Sequence, residues 1–177
     1  MQHSKCCVGG KGVAQDATGL IWNIRPSLPE DVPNIVPRLR EADIAECRAA
    51  SGIDPSVSLA SAVGGSQTVV GTMNEPLAMF GANPVSDIAA AVWMVATNDI
   101  AKPPYIRQFI RHCKPVVEEL NRQHPLLFNY VDARNTLHLR WLEWCGFIFI
   151  KRHERHGHEQ RPFIEFLRIK PCAIQSP

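Results

Sequence analysis

The chain has 177 residues, 45% of them hydrophobic and 20% charged, with a net charge of +2, which is the profile of one domain with a core of its own. So small a charge gives no footing for nucleic-acid or membrane-surface binding, no apolar run is long enough for a membrane anchor, and Met1–Leu20 holds no continuous apolar stretch of the secretory type. The six cysteines (Cys6, Cys7, Cys47, Cys113, Cys145 and Cys172) form no Cys-x-x-Cys pair, which points to a reduced, intracellular protein without a disulfide framework.

Residues 1–19 are Gly-rich and polar without periodicity and are expected as a flexible N-terminal extension. Residues 20–170 are expected as the folded domain and 171–177 as a tail. His3 beside Cys6 and Cys7 can hold a stray metal ion, but adjacent cysteines make a poor closed site. Leu20–Arg25 alternates and predicts the first strand. Pro26–Asp31 is a turn running into a helix, with carboxylates placed in the first turn. Val32, Ile35, Val36 and Leu39 line one face of that helix. Glu41–Ser51 predicts a second helix. Asp54 and Pro55 cap a third over Ser56–Val63, which Gly64 and Gly65 end. Three strands follow: Thr68–Met73, Leu77–Gly81 and Ile88–Ala96, with turns at Asn74–Pro76 and Ala82–Pro84. The last is almost continuously apolar and reads as a central strand buried on both faces.

An apolar stripe at helical spacing predicts a long helix over Pro103–Arg122, kinked or split near His112 by Pro115. Leu126–Val131 predicts a strand. Asn135 is suited to cap the next helix. Leu137, Trp141, Leu142 and Cys145 are expected to face the sheet, with Arg140, Glu143 and Trp144 on the other side. Gly146 supplies a left-handed helix stop. Phe147–Lys151 and Phe163–Ile169 predict a final hairpin around a long polar loop.

Val131, Asn135, Gly146 and Phe147, set between two strands, resemble the C-terminal half of the GCN5-related N-acetyltransferase family. That family writes Val, three residues, Asn, two residues, a small residue, then Leu-Tyr and a closing Gly-Phe. Ile24-Arg25-Pro26 followed by Glu30 and Asp31 resembles the family's opening. The order of elements extends the resemblance from Leu20 to Ile169. It implies an α/β (α+β) fold: a mixed, mostly antiparallel central sheet flanked by helices.

Two departures bear on the chemistry this resemblance implies. Leu142 stands where the family often has a tyrosine that protonates the leaving thiolate, and His138 stands at the small residue. The family also seats the cofactor pyrophosphate on backbone N–H groups at a helix start, within Gln or Arg, two residues, Gly, one residue, Gly or Ala. The matching stretch Ala96–Tyr105 has no glycine, Pro103 and Pro104 carry no N–H, and Asp99 adds a negative charge. Lys102, Arg107 and Arg111 can offset this through side chains. The cofactor-binding candidates are therefore Lys102, Arg107 and Asn135. No catalytic and no metal-binding residue is expected, and the main expectation is that the chain uses no cofactor.

The phrase Leu137-His138-Leu139-Arg140-Trp141-Leu142 and the glycine-free loop resemble the small internal virion proteins of T7-like podoviruses. That resemblance implies a phage internal virion or morphogenesis protein, located in the virion or host cytoplasm. It would act through contacts with other virion proteins or through self-association, with Arg140 and Trp144 as partner-binding residues. The alternative is an N-acyltransferase dependent on acetyl-CoA, with an atypical cofactor loop. An acyl-CoA-binding module without turnover lies between the two. Other constellations are weaker. His153, Glu154, His156, His158 and Glu159 share a stretch with three arginines that disfavour a cation. Cys113 and His112, adjacent on a helix, point about 100° apart and do not readily pair.

Overall fold

The computed structural model describes residues 22–103 and 105–170. The expected extension and tail, with His3, Cys6, Cys7 and Cys172, lie outside the described residues, as does Pro104. Strand β1 (Trp22–Pro26) leads into helix α1 (Asp31–Ile35) and a 3₁₀ turn. Helices α2 (Glu41–Ser51) and α3 (Pro55–Ala62) follow. Strands β2 (Ser66–Gly71), β3 (Pro76–Pro84) and β4 (Ala89–Ala96) form a meander. Then come α4 (Tyr105–Gln123), β5 (Leu126–Asp132), α5 (Thr136–Trp144), β6 (Ile148–His156) and β7 (Arg161–Ile169). The sheet has seven strands in the order β1-β2-β3-β4-β5-β7-β6. It is antiparallel except where β4 meets β5.

Each face of the sheet carries its own helical layer. Met79 and Val95 pack with Val32, Ile35, Leu39 and Leu59 under α1–α3. Val92, Leu127 and Val131 pack with Cys113, Val117, Leu142 and Cys145 under α4 and α5. Large side chains such as Phe163, Leu127 and Leu142 are almost fully enclosed, and each contributes about 1.5–3 kcal/mol by leaving water. Cys113 and Cys145 are free thiols with Sγ atoms 3.7 Å apart in this core. A bidentate pair between Arg25 and Asp31, 2.7 Å at both contacts, ties β1 to α1.

Several boundaries differ from expectation for physical reasons. Strand β3 runs on through Pro84, expected in a turn. Pro84 sits opposite Ala90 with no bond required of its nitrogen, because the bonded pairs are the odd-numbered ones, marked by Thr97 N–H to the Leu77 carbonyl. Pro115 lies inside an unbroken α4. The expected polar loop after Lys151 is mostly strand, since β6 and β7 pair as far as His156 and Arg161. Leu137 is exposed rather than turned to the sheet, while Leu142 and Cys145 are buried as expected. Gly146 ends α5 at φ +84°, and the Asn135 side chain caps its start by accepting from the His138 N–H.

Candidate functional site

β4 and β5 pair only over Ala89–Ala91 and Leu126–Phe128, although both strands run further. Parallel ladders repeat evenly, and the Leu126 N–H to Ile88 carbonyl bond at 2.8 Å sets the phase here. Continued, that phase would join Tyr130 N–H to the Val92 carbonyl. The Asn129 side chain stands between them instead. Its Nδ2 donates to the Val92 carbonyl at 2.7 Å, and its Oδ1 accepts from Tyr130 N–H at 2.8 Å. Both backbone groups are satisfied, and the strands part beyond them.

Helix α2 crosses the wide end of this gap with two carboxylates on one face. Asp43 Oδ2 accepts from Ala96 N–H on β4 at 2.9 Å, and its Oδ1 lies 3.1 Å from Arg40. Glu46 Oε2 accepts from Asn135 Nδ2 at 2.9 Å, and the carboxylate also draws on Asp132 N–H at the end of β5. Arg40 donates to Asn135 Oδ1 at 3.2 Å. The buried Asn135 amide thus serves the helix cap, Arg40 and Glu46 together.

A cavity of about 460 Å³ occupies the gap and reaches both helical layers. Phe109, Cys113, Val116, Trp141 and Leu142 line it on the α4–α5 side; Glu46, Cys47, Ser58 and Ser61 line it on the α2–α3 side. The walls are chiefly apolar. Its polar members include Asp43, Glu46, Asn129, Tyr130 and His138. Burial pushes the Glu46 carboxyl up to about 7, helped by the negative charges of Asp43 and Asp132. Burial likewise raises Asp43, against the pull of Arg40. Burial and the nearby Arg40 charge push His138 down to about 4, so its imidazole is neutral at pH 7. Burial works against Asp132 as an anion, yet hydrogen bonds from Arg134 hold its carboxyl below the usual range.

The residues named from sequence are scattered. Lys102 Nζ pairs with Asp99 at 2.6 Å, and Arg38 pairs with the same carboxylate at 2.9 Å. The negative charge expected to repel phosphates is therefore matched by two cations. Arg107 is exposed on the first turn of α4, and Asn135 sits at the wide end of the gap. Arg140 and Trp144 lie exposed on α5, outside the cavity lining, with Lys114 Nζ 3.9 Å from the Trp144 ring centroid. Leu142 is buried on α5, lines the cavity and carries no hydroxyl. Among the described residues, no group of three potential metal ligands is found. Sequence reasoning passed over Glu46, Asn129 and Tyr130. The available signal was a pair of acids, Asp43 and Glu46, one helical turn apart among apolar neighbours.

The fold is that of the GCN5-related N-acetyltransferases. An acetyltransferase of this family from Bacillus anthracis matches with a TM-score of 0.66 at 11% identity, covering 85% of this chain and 96% of that one. A GCN5-related N-acetyltransferase from Kribbella flavida matches with a TM-score of 0.63 at 15% identity, over 84% and 98% of the two chains. Spermidine N-acetyltransferase from Vibrio cholerae, in complex with CoA and spermine, matches with a TM-score of 0.63 at 12% identity, over 85% and 96%. No family model matches the sequence, and no curated protein matches it.

These findings correct two expectations. The reading as a phage virion protein is overturned, because the matched structures are bacterial N-acetyltransferases built on the same frame. The expectation of no cofactor falls with it, since one matched enzyme is seen with CoA. The physical ground is that a glycine-free loop does not alter the rest of the frame: β4 and β5 part, a cavity lies between them, and Asp99 is already paired with two cations.

Proposed function

We propose that the chain transfers an acyl group from an acyl-coenzyme A thioester to an amine, with the β4–β5 gap as the reaction channel. The observation that carries this reading is the cavity reaching from the α4–α5 face to the α2–α3 face of the sheet. A channel of that kind admits a thioester from one side and an amine from the other. It holds the two reactants in one place and so lowers the entropic part of the barrier.

The donor's pantetheine arm fits this gap. It is a chain of amides and methylenes, and the gap offers apolar walls and free backbone. Alternation along β4 turns the N–H and C=O of Met94 toward β5, where no β5 residue pairs with it. The phosphate end fits less closely. N–H groups of Ile100 and Lys102 bond to the carbonyls of Thr97 and Asp99, and Pro103 has no N–H to give. Lys102 and Arg107 would therefore hold phosphates through side chains rather than through a backbone cradle.

Acyl transfer forms a bond from the amine nitrogen to the acyl carbon and breaks the carbon–sulfur bond. The nitrogen gives up a proton and the sulfur leaves as a thiolate. Leu142 has no proton to offer that thiolate. The test is calorimetric titration with acetyl-CoA, followed by a thiol-release assay with a panel of primary amines and polyamines. Saturable binding and amine-dependent thiol release are expected. Binding without release would reduce the chain to an acyl-CoA-binding module, and absence of both would sink the reading.

A further inference from the structure

We propose that Glu46 is the group that takes the proton from the attacking amine, and that the acceptor is a cationic amine entering from the α2–α3 side. The proposal rests on the acyl-transfer reading and assigns its proton to one carboxylate.

Three carboxylates stand at the wide end of the β4–β5 gap, and two are already held by arginines. Asp43 pairs with Arg40 at 3.1 Å and accepts Ala96 N–H. Asp132 is gripped by Arg134 through three contacts between 2.5 and 3.1 Å. Glu46 has no ion pair among the described residues; its partners are the neutral donors Asn135 Nδ2 and Asp132 N–H. Arg134 holds the Asp132 carboxyl below its usual range and makes it a poor proton acceptor, while Arg40 and the Ala96 N–H offset part of the rise that burial gives Asp43. A carboxylate beside two other negative charges, in a largely apolar cavity, takes a proton readily.

Glu46 is also placed by its neighbours. It lines the cavity from α2, and Asn135, itself fixed as the cap of α5, holds one carboxylate oxygen. The charged and titratable groups around it are Arg40, Asp43 and Cys47 on its own side, Tyr130 and Asp132 on β5, and His138 on α5. His138 is neutral at pH 7 (its pKa is pushed down to about 4) and adds no positive charge to oppose an incoming ammonium group. Glu46, the carboxylate there with no ion pair among the described residues, attracts such a group when ionised, and the apolar walls favour an amine on an apolar stem.

The step balances without a further reactant. An ammonium nitrogen gives up two protons on acylation. The first passes to a Glu46 oxygen, and the freed electron pair forms the nitrogen–carbon bond. The carbon–sulfur pair leaves with the thiolate, which takes up the second nitrogen proton and departs as the free thiol. Glu46 then returns its proton to solvent.

The test compares wild type, Glu46→Gln and Glu46→Asp. Glu46→Gln is expected to lower kcat/KM about 10²- to 10⁴-fold while acetyl-CoA affinity stays within threefold. Glu46→Asp should recover part of the loss. In wild type kcat/KM should rise with pH up to about 7, and the variant should lose that limb. A readout independent of turnover is the ¹³C carboxyl resonance of labelled glutamate. One resonance should titrate near pH 7 in wild type and be missing from Glu46→Gln. Undiminished kcat/KM in a folded Glu46→Gln protein would overturn the assignment, as would the absence of a glutamate resonance titrating near neutrality. If wild type itself neither binds acetyl-CoA nor releases thiol, the acyl-transfer reading fails first and takes this role with it.

Discussion

Asn129 donates through its side-chain amide to the Val92 carbonyl at 2.7 Å, and this contact stands where the β4–β5 ladder stops. The same amide accepts from Tyr130 N–H, so one side chain satisfies two backbone groups that would otherwise face each other. Replacing Asn129 by Leu keeps the branched shape of the side chain and removes both bonds. Stability is expected to fall by about 1–3 kcal/mol, because a carbonyl and an N–H lose their partners. Urea unfolding checks this. A midpoint unchanged from wild type would show that the strands part for another reason.

Gly146 carries φ +84°, and a β-carbon built there meets only Arg168 Nε at 3.4 Å. The cost of Gly146→Val is therefore backbone strain, with little steric clash. A loss of about 1–2 kcal/mol is expected, or roughly 2–8 °C in Tm for a chain of this size. Gly146→Asn should cost less, since asparagine enters the left-handed region more easily. Equal melting of all three proteins would count against the left-handed stop.

Two of the shifted groups at the gap, Glu46 and His138, bear on stability in opposite senses. The folded state holds the Glu46 proton up to about pH 7, whereas an unfolded glutamate releases it near 4.3. Ionisation of Glu46 thus costs stability as pH rises through that window. His138 is pushed down to about 4 in the folded state and titrates near 6.5 when unfolded. It therefore costs stability as pH falls from 6.5 toward 4. Glu46→Gln removes the first effect alone. The stability of the variant relative to wild type should therefore grow as pH rises from about 4.5 to 7. Urea midpoints at four or five pH values decide this; a constant difference would mean that Glu46 titrates normally.

Arg107 is exposed on the first turn of α4, five residues after Lys102. Under the acyl-transfer proposal it contributes side-chain charge where a backbone cradle is lacking. Arg107→Glu is expected to weaken acetyl-CoA binding about tenfold, or ~1.4 kcal/mol, and to make affinity less sensitive to salt. Titrations at low and high ionic strength test both effects. Unaltered affinity and salt dependence would place the phosphates elsewhere.

The order of helices and strands, the Asn135 cap and the Gly146 stop were legible in the sequence, because they rest on local causes. Side-chain period, capping chemistry and the conformational freedom of glycine act within a few residues. The final hairpin was legible too, but not its length: β6 runs on to His156 and β7 starts at Arg161, and β6 lies at the sheet edge with its residues exposed or half exposed. No face of it is buried deeply enough to impose alternation. Leu137 was misplaced because period alone fixes a helix stripe but not which part of it meets the core. Asn129, Glu46 and Asp43 gained their meaning only in three dimensions. Glu46 and Asn135 are 89 positions apart, and Asp43 and Ala96 are 53 apart. Their burial and charge environment arise from strands and helices that meet only after folding. A pKa set by desolvation and by neighbouring charges depends on what surrounds the group in space, and that was decided by the tertiary structure alone.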